Sequence, residues 1–201
     1  MLKSSPQDKS SFKELVHTKI CSYYERELRE MASRNSRMEF FNVSLTSLRG
    51  SCHQAIRNIF TTYDVKKCRF HLKMLSGDYL TYSVKAKHSG GSPDCRLCVS
   101  SVSENIMHML VFCTAYSDIR ERTLAKYIEL CHEIKFPFTE ISDSKENLCQ
   151  FILDPSSVNL KSRIPENHSK ITEFMKISRD YCFAIHNKRI SMLEDMRLKS
   201  S

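Results

Sequence analysis

Three cysteines and one histidine near the middle of the chain have the types and the spacing of a metal site. They form a Cys-x2-Cys-x9-His-x4-Cys array made of Cys95, Cys98, His108 and Cys113. Thiolates and imidazole are ligands that suit Zn²⁺, and four protein ligands complete a tetrahedral shell with no position left for water. The array therefore predicts one structural zinc ion that serves folding and recognition rather than hydrolysis.

Two short elements must bring these ligands together. The two-residue gap of the first cysteine pair allows a tight turn that directs both sulfurs to one point. Ser103 has the character of a helix N-cap, and Glu104 follows it where the helix dipole favours a carboxylate. Apolar residues at helical spacing come next, so we expect His108 and Cys113 on and just beyond one short helix.

Other interpretations of the array stay open. The four residues can instead be buried thiols and a core histidine without a metal. If one of the four is not a ligand, His88 and Cys131 are the substitutes that the sequence offers. A thioredoxin-like redox site at the first cysteine pair is disfavoured, because the pair lacks a strand-turn-helix context.

The rest of the chain predicts a mainly α fold, a helical chain with a small central CCHC zinc knuckle. Apolar residues recur at helical spacing, and no stretch alternates as a strand would. Their stripes are expected to form the core. Helices are predicted at about 12–33, 36–48, 52–63, from 117 to before Pro137, 144–153 and 166–198, with one or two short helices within 66–90.

Composition and the positions of glycine and proline residues divide the chain into four parts. Residues 1–10 are predicted to be a flexible tail and 11–65 a helical N-terminal region. Residues 66–135 join a basic segment to the zinc-knuckle domain, and 136–201 form a C-terminal helical region.

Positive charge is concentrated just before the metal array. The net charge of the chain is +8, and residues 66–90 hold six of its Lys and Arg residues against one Asp. Cations beside aromatic rings are the ingredients of nucleic-acid binding, so RNA or DNA is the predicted partner, with low sequence specificity. The alternative is a solvated surface whose aromatic rings turn inward. The predicted nucleic-acid-binding residues are Lys66, Lys67, Arg69, Lys73, Lys85, Lys87 and Arg96.

The expected compartment is intracellular. No apolar run has the length of a membrane span, and the first residues lack the apolar centre of a signal peptide. No membrane partner is therefore expected. Cysteines stay reduced inside cells, which favours metal ligation over disulfides for the nine cysteines of this chain.

A series of motifs in the central third of the chain has a fixed order. It comprises the Gly-centred turn KMLSGDYLT, the knuckle SPDCRLC, Glu104 with Asn105, the His108 and Cys113 pair, and Arg120 with Arg122. In type and order these motifs, over about 66–135, resemble the C-terminal segment of non-LTR (LINE-type, jockey-like) retrotransposon reverse transcriptases, where threonine usually follows the glutamate.

The resemblance implies a remnant or domesticated segment that grips template RNA or target DNA in the nucleus. That family's polymerase usually holds its metal ions with paired aspartates, and no two aspartates are adjacent in this sequence. The pairs His132–Glu133 and Glu166–His168 also lack a supporting constellation. A non-catalytic protein is therefore expected. The competing prediction is an inert helical scaffold or protein-interaction module whose zinc site is purely structural.

Zinc removal is expected to destabilise one part of the chain more than the others. Only the neighbourhood of the array depends on ligation, so chelation is expected to loosen 90–131 and to leave the helices at 12–33 and 166–198 largely formed.

Overall fold

The computed structural model describes residues 9–34, 38–41, 54–56, 59–156 and 168–199. Within these ranges the chain forms helices joined by turns, without a β-strand, so the predicted mainly α class is confirmed. None of the described helices is at once long and apolar enough to cross a bilayer. The α-helices are α1 (Lys9–Arg34), α2 (Thr62–Leu75), α3 (Tyr82–Ser89), α4 (Ser117–Glu133), α5 (Thr139–Ser142), α6 (Lys145–Leu153) and α7 (His168–Lys199).

Most of the predicted helices have counterparts in this set. The expected helices at 12–33, 117–136 and 144–153 correspond to α1, α4 and α6, and that at 166–198 corresponds to α7 as far as it is described. The basic segment forms α2 and α3, which are separated at Gly77 by a turn with a φ of 72°. Of the predicted flexible tail, residues 1–8 lie outside the described residues, and α1 already includes Lys9.

Two predicted helices are wrong where they are described. Within 36–48 only 38–41 are described, and they make one turn, closed by a hydrogen bond from the Phe41 amide to the Met38 carbonyl at 3.0 Å. Within 52–63 the chain makes a 3-10 turn (Gln54–Ile56), and residues 59–60 are not helical.

The start of α2 explains why no helix continues through residue 61. Thr61 is extended, with φ −123° and ψ 158°, and its hydroxyl accepts a hydrogen bond from the Asp64 amide at 3.0 Å. The Asp64 carboxylate accepts in return from the Thr61 amide at 3.1 Å. This capping box satisfies amides at a helix start, so a new helix begins at Thr62.

The core lies where α7 packs against α2 and α4. The rings of Tyr127, Phe151 and Phe174 meet there, with centroids 5.1 and 5.3 Å apart for the two contacts of Phe151. Tyr127 hydrogen-bonds the Ser178 hydroxyl at 2.8 Å, which satisfies its buried phenol. The C-terminal helix thereby packs on the same core as the helices that flank the metal array.

Helix α1 departs from the expectation that its apolar stripe is buried. The helix is present, but the described side chains of that stripe are 38–57% exposed, because α1 makes few contacts with the other described elements. The exposed residues are Phe12, Leu15, Val16, Ile20, Tyr23, Tyr24 and Met31.

Candidate metal centre and basic surface

The four predicted ligands converge on one point. One donor atom from each of Cys95, Cys98, His108 and Cys113 lies within 4.8 Å of all the others. The Cys95 and Cys113 sulfurs are 3.9 Å apart, and the Cys98 sulfur is 3.4 Å from Nε2 of His108. Metal–ligand bonds of about 2.3 Å to sulfur and about 2.05 Å to nitrogen place tetrahedral ligands about 3.8 and about 3.5 Å apart. The arrangement therefore fits a four-coordinate ion.

The metal loop, residues 93–113, is held by backbone pairing at its first half. Asp94 and Ser103 form an isolated antiparallel bridge. The Cys95 amide donates to the Val102 carbonyl and the Glu104 amide to the Pro93 carbonyl, both at 2.8 Å. The loop that carries the first two sulfurs is thereby closed independently of ligation.

Ser103 does not act as the predicted N-cap, because it belongs to the bridge. The helical turn starts three residues later, at Ile106, and the Asn105 side-chain oxygen accepts a hydrogen bond from the His108 amide at 2.7 Å. Asn105 therefore caps the turn that carries the histidine ligand. Asparagine is a good N-cap, so the signal was present in the sequence three residues before His108.

A π-turn, His108–Phe112, places the second ligand pair. In an α-helix, residues five positions apart point about 140° away from each other. Here the Cys113 amide donates to the His108 carbonyl at 2.7 Å, an i→i+5 bond that widens the turn by one residue. The wider turn lets the imidazole and the thiol of Cys113 face the same centre. Tyr181 and Arg120 stabilise it through hydrogen bonds to the Leu110 and Cys113 carbonyls, at 2.6 and 2.9 Å.

Burial sets the protonation of the ligands. It raises the pKa of Cys95, and it raises the pKa of Cys113 to about 12. At Cys98 burial also raises the pKa, but hydrogen bonds with Ser100, Cys95 and Cys113 together outweigh it, and the net pKa is lowered. Burial lowers the pKa of His108, which favours the neutral imidazole that can bind a metal. A metal must displace protons from the two buried thiols, so its binding releases protons.

Glu104 is not a first-turn residue as predicted but the fully buried partner of Arg189. Its carboxylate oxygens accept from Nε and Nη2 of Arg189 at 3.0 and 2.8 Å. The same carboxylate accepts from the Tyr82 amide at 2.7 Å, and the Glu104 carbonyl accepts from the Ser83 amide at 3.2 Å. Glu104 therefore satisfies the first two amides of α3 and joins the metal loop to α7.

Two arginines lie over the ring of Tyr82. The guanidinium carbon of Arg96 is 5.0 Å from its centroid and that of Arg189 is 5.4 Å away. Arg96 comes from the metal loop, Tyr82 begins α3, and Arg189 belongs to α7. Cation–π contacts of this kind fix the orientation of the exposed Arg96 relative to the basic helix α3.

Helix α2 carries four of the predicted nucleic-acid-binding residues, on two sides. Lys66, Arg69 and Lys73 follow at spacings of three and four, which places them on one side of the helix. Lys67 lies elsewhere: its ammonium is 2.6 Å from the Asp180 carboxylate, 4.5 Å from the Tyr63 centroid, and its side chain is only 18% exposed. Its charge is already compensated by α7.

The other predicted cations lie on α3 and in the metal loop. Lys85 and Lys87 are exposed, and their spacing of two positions directs them to different sides of α3. Arg96 is exposed above Tyr82. We call Lys66, Arg69, Lys73, Lys85, Lys87 and Arg96 the basic surface, a set of cations that spans α2, both sides of α3 and the metal loop.

The two substitute ligands do not join the cluster. Cys131 is buried in α4, and His88 is exposed at the end of α3. In the part of the chain that the structure describes, the cluster of three cysteines and His108 is the one group that can hold a metal ion. Neither residue is needed to complete four ligands.

Sequence reasoning missed the residues that support the site from α7. Arg189 and Tyr181 lie on the long C-terminal helix, and their contacts with the metal loop span 85 and 71 positions of sequence. An arginine at a helix position that is otherwise apolar was the available signal. No protein-family model matches this chain, and the comparisons with curated proteins and with solved structures return no match either.

Proposed function

We propose that this chain is a non-catalytic nucleic-acid-binding module stabilised by one structural zinc ion. Three thiolates and one imidazole form the donor set that zinc prefers, and the four donors within 4.8 Å of one another complete its shell. Bound zinc would fix the metal loop. It would not supply hydrolytic chemistry, because no open coordination position remains.

The observation that carries the nucleic-acid part of the proposal is the stacking of Arg96 on Tyr82. The contact joins the metal loop to α3. Because Arg96 lies between the ligands Cys95 and Cys98, a bound ion would fix its position relative to the cations of α3. Lys66, Arg69, Lys85 and Lys87 make no ion pair with other described residues and remain available for phosphate. Binding through such contacts depends on charge and only weakly on sequence.

The resemblance to the C-terminal segment of non-LTR retrotransposon reverse transcriptases supports the same proposal. It suggests template RNA or target DNA as the ligand and the nucleus as the compartment. Glu104, which belongs to the motifs of the resemblance, has a structural role here as the partner of Arg189.

Fluorescence anisotropy with labelled single strands and duplexes tests the proposal. With five phosphate contacts, affinity should fall about a hundredfold for single strands and about five-hundredfold for duplexes between about 50 and about 200 mM salt. The double variant Lys66→Glu, Arg69→Glu should bind much more weakly and show a shallower salt dependence. The double variant Lys126→Glu, Lys145→Glu, at exposed lysines of α4 and α6, makes the same change in net charge; it is the matched control and should change little. No binding at low salt, or equal losses in both variants, would refute the proposal.

The exposed stripe of α1 favours a second candidate, the protein-interaction module. Seven large apolar side chains on one described helix form a surface of the kind that is covered in an assembly. A second copy of this chain is the simplest occupant, because a two-fold pair buries the same stripe twice. Sedimentation equilibrium decides: a dimer that Leu15→Lys, Ile20→Lys converts to a monomer supports it, and a monomeric wild type refutes it.

A further inference from the structure

A half-open cleft of about 310 Å³ lies beside the metal loop. It is bounded by the end of α2, by α3 and by the segment that leads into the π-turn, so it lies next to the helices that carry the basic surface. Its volume is at the lower end for a small-molecule pocket, which suits one ring system rather than a long chain.

About half of the residues that line the cleft are apolar. Phe40 comes from the turn at 38–41 and Met74 from the end of α2, and Val84, Ile106 and Met107 come from α3 and the metal loop. Aromatic and methionine side chains make favourable contacts with the faces of flat rings. The cleft therefore suits a ligand whose faces are apolar.

Polar groups accompany these walls. The side-chain oxygen of Asn105 is used in capping His108, but its amino group has no hydrogen-bond partner among the described residues. Glu39 and Ser83 also line the cleft and add acceptors. Lys87 contributes an exposed ammonium that forms no ion pair within the described ranges. These groups suit a ligand with donors and acceptors at its edge and an anion beside it.

We propose that this cleft accepts one unstacked base of a single-stranded nucleic acid. A base has two apolar faces and a hydrogen-bonding edge, and its phosphate can meet Lys87 while the strand continues over the basic surface. The inference rests on the proposed function, and it adds a preference for single strands that charge alone does not give. RNA and DNA share the chemistry that the cleft reads.

The test is a substitution that fills the cleft without changing charge. Val84→Phe places a ring into the cleft, and Val65→Phe is the matched control on α2, at a position that is 54% exposed and does not line the cleft. Loss of one stacked base should weaken single-strand binding about tenfold. Duplex binding and the salt dependence should stay the same, because no phosphate contact is removed. Each strand is measured as RNA and as DNA.

A second measurement uses the unaltered protein. A strand of abasic sugar-phosphate should bind the wild type about tenfold more weakly than the strand that carries bases. Equal affinities for the two strands would overturn the inference even if Val84→Phe fails to fold. A free mononucleotide that binds as tightly as the strand would also overturn it, because the cleft would then not serve a strand.

The outcomes separate this inference from the proposed function. A wild type that binds neither strands nor duplexes refutes both. If the wild type binds both ligands and Val84→Phe behaves like Val65→Phe, only the assignment of the cleft is wrong.

Discussion

Glu104 and Arg189 form a buried ion pair across 85 positions of sequence, with both carboxylate oxygens engaged at 3.0 and 2.8 Å. Glu104 lies between the second and third ligands of the metal array, and Arg189 lies on α7. The pair therefore joins the metal loop to α7, the longest helix in the described part of the chain. Burial lowers the pKa of Arg189, but the hydrogen bond and the charge of Glu104 outweigh it and the net pKa is raised, so the guanidinium stays charged.

Breaking this pair from one side should be costly. Glu104→Gln leaves the Arg189 charge buried without its partner, so we expect a loss of about 3–5 kcal/mol in the free energy of unfolding. Urea denaturation of the zinc-loaded protein measures it. The double variant Glu104→Gln, Arg189→Met should lose less than the single one, because no unpaired charge remains buried. A single variant as stable as the wild type would show that the pair is not buried in solution.

Metal content tests the cluster directly. The purified protein should contain about one equivalent of zinc, because the described residues form one set of four ligands. The double variant Cys95→Ser, Cys98→Ser should contain none, since two ligands cannot hold the ion. Elemental analysis after dialysis gives both values. Cys21→Ser, which changes a cysteine of α1 outside the cluster, should keep the full equivalent.

Chelation should loosen the metal loop more than the distant helix α1. Hydrogen exchange after zinc removal should accelerate in residues 93–113 and also, more weakly, around Tyr181 and Arg189, which hydrogen-bond that loop. The exchange of α1 should not change, because α1 makes few contacts with the other described elements. Acceleration of equal size in α1 would contradict this division.

Acid should destabilise the fold in part through His186. Its ring stacks on Phe70 at 3.6 Å and hydrogen-bonds Tyr79 at 3.0 Å, and burial, followed by the charges of Arg189 and Lys73, lowers its pKa. The unfolded chain takes up a proton near pH 6.5 while the folded chain does not. The stability contributed by neutral His186 is therefore complete above that pH and is lost as the pH falls through the lowered value.

The variant His186→Phe isolates this effect. It keeps a ring against Phe70 and removes the titrating group, so its free energy of unfolding should fall less between about pH 7.5 and about pH 5.5 than that of the wild type. Urea denaturation at each pH measures the difference. Parallel curves for the two proteins would show that His186 does not contribute.

The lysines of α2 should differ in their effect on nucleic-acid binding. Lys67→Ala should weaken binding less than Lys66→Ala, because the Lys67 ammonium is 2.6 Å from the Asp180 carboxylate and its charge is already compensated. Removing an uncompensated phosphate contact should reduce the salt slope by about one unit. Titrations at several salt concentrations compare the two slopes. A larger loss of slope in Lys67→Ala would show that the ion pair opens on binding.

Local signals in the sequence predicted much of this structure. Periodicity predicted α1, α4, α6 and α7, because each contains several apolar residues at helical spacing. Errors in the predicted ends of these helices are small compared with their lengths. The spacing of the four ligands predicted their convergence, since knuckle turns and metal chemistry are both local. The start of α2 was missed, although Thr61 and Asp64 carry the pattern of a capping box.

Long-range relations were not accessible in the same way. The ion pair between Lys67 and Asp180 depends on how α7 crosses α2. No local pattern in the sequence predicts that crossing. The same holds for Glu104, whose position near a predicted helix start suggested an interaction with the dipole. Its partner proved to be Arg189, because the packing of α7 brings a buried cation to that place.

The π-turn gives the two gaps of the metal array different tolerances. The nine residues between Cys98 and His108 include an open loop, where an insertion could be accommodated in the turn. The four residues between His108 and Cys113 are all contained in the turn itself, so deleting one would keep every ligand and rotate the last thiol away from the others. The number of residues between His108 and Cys113 therefore matters for metal binding as much as the identity of Cys113.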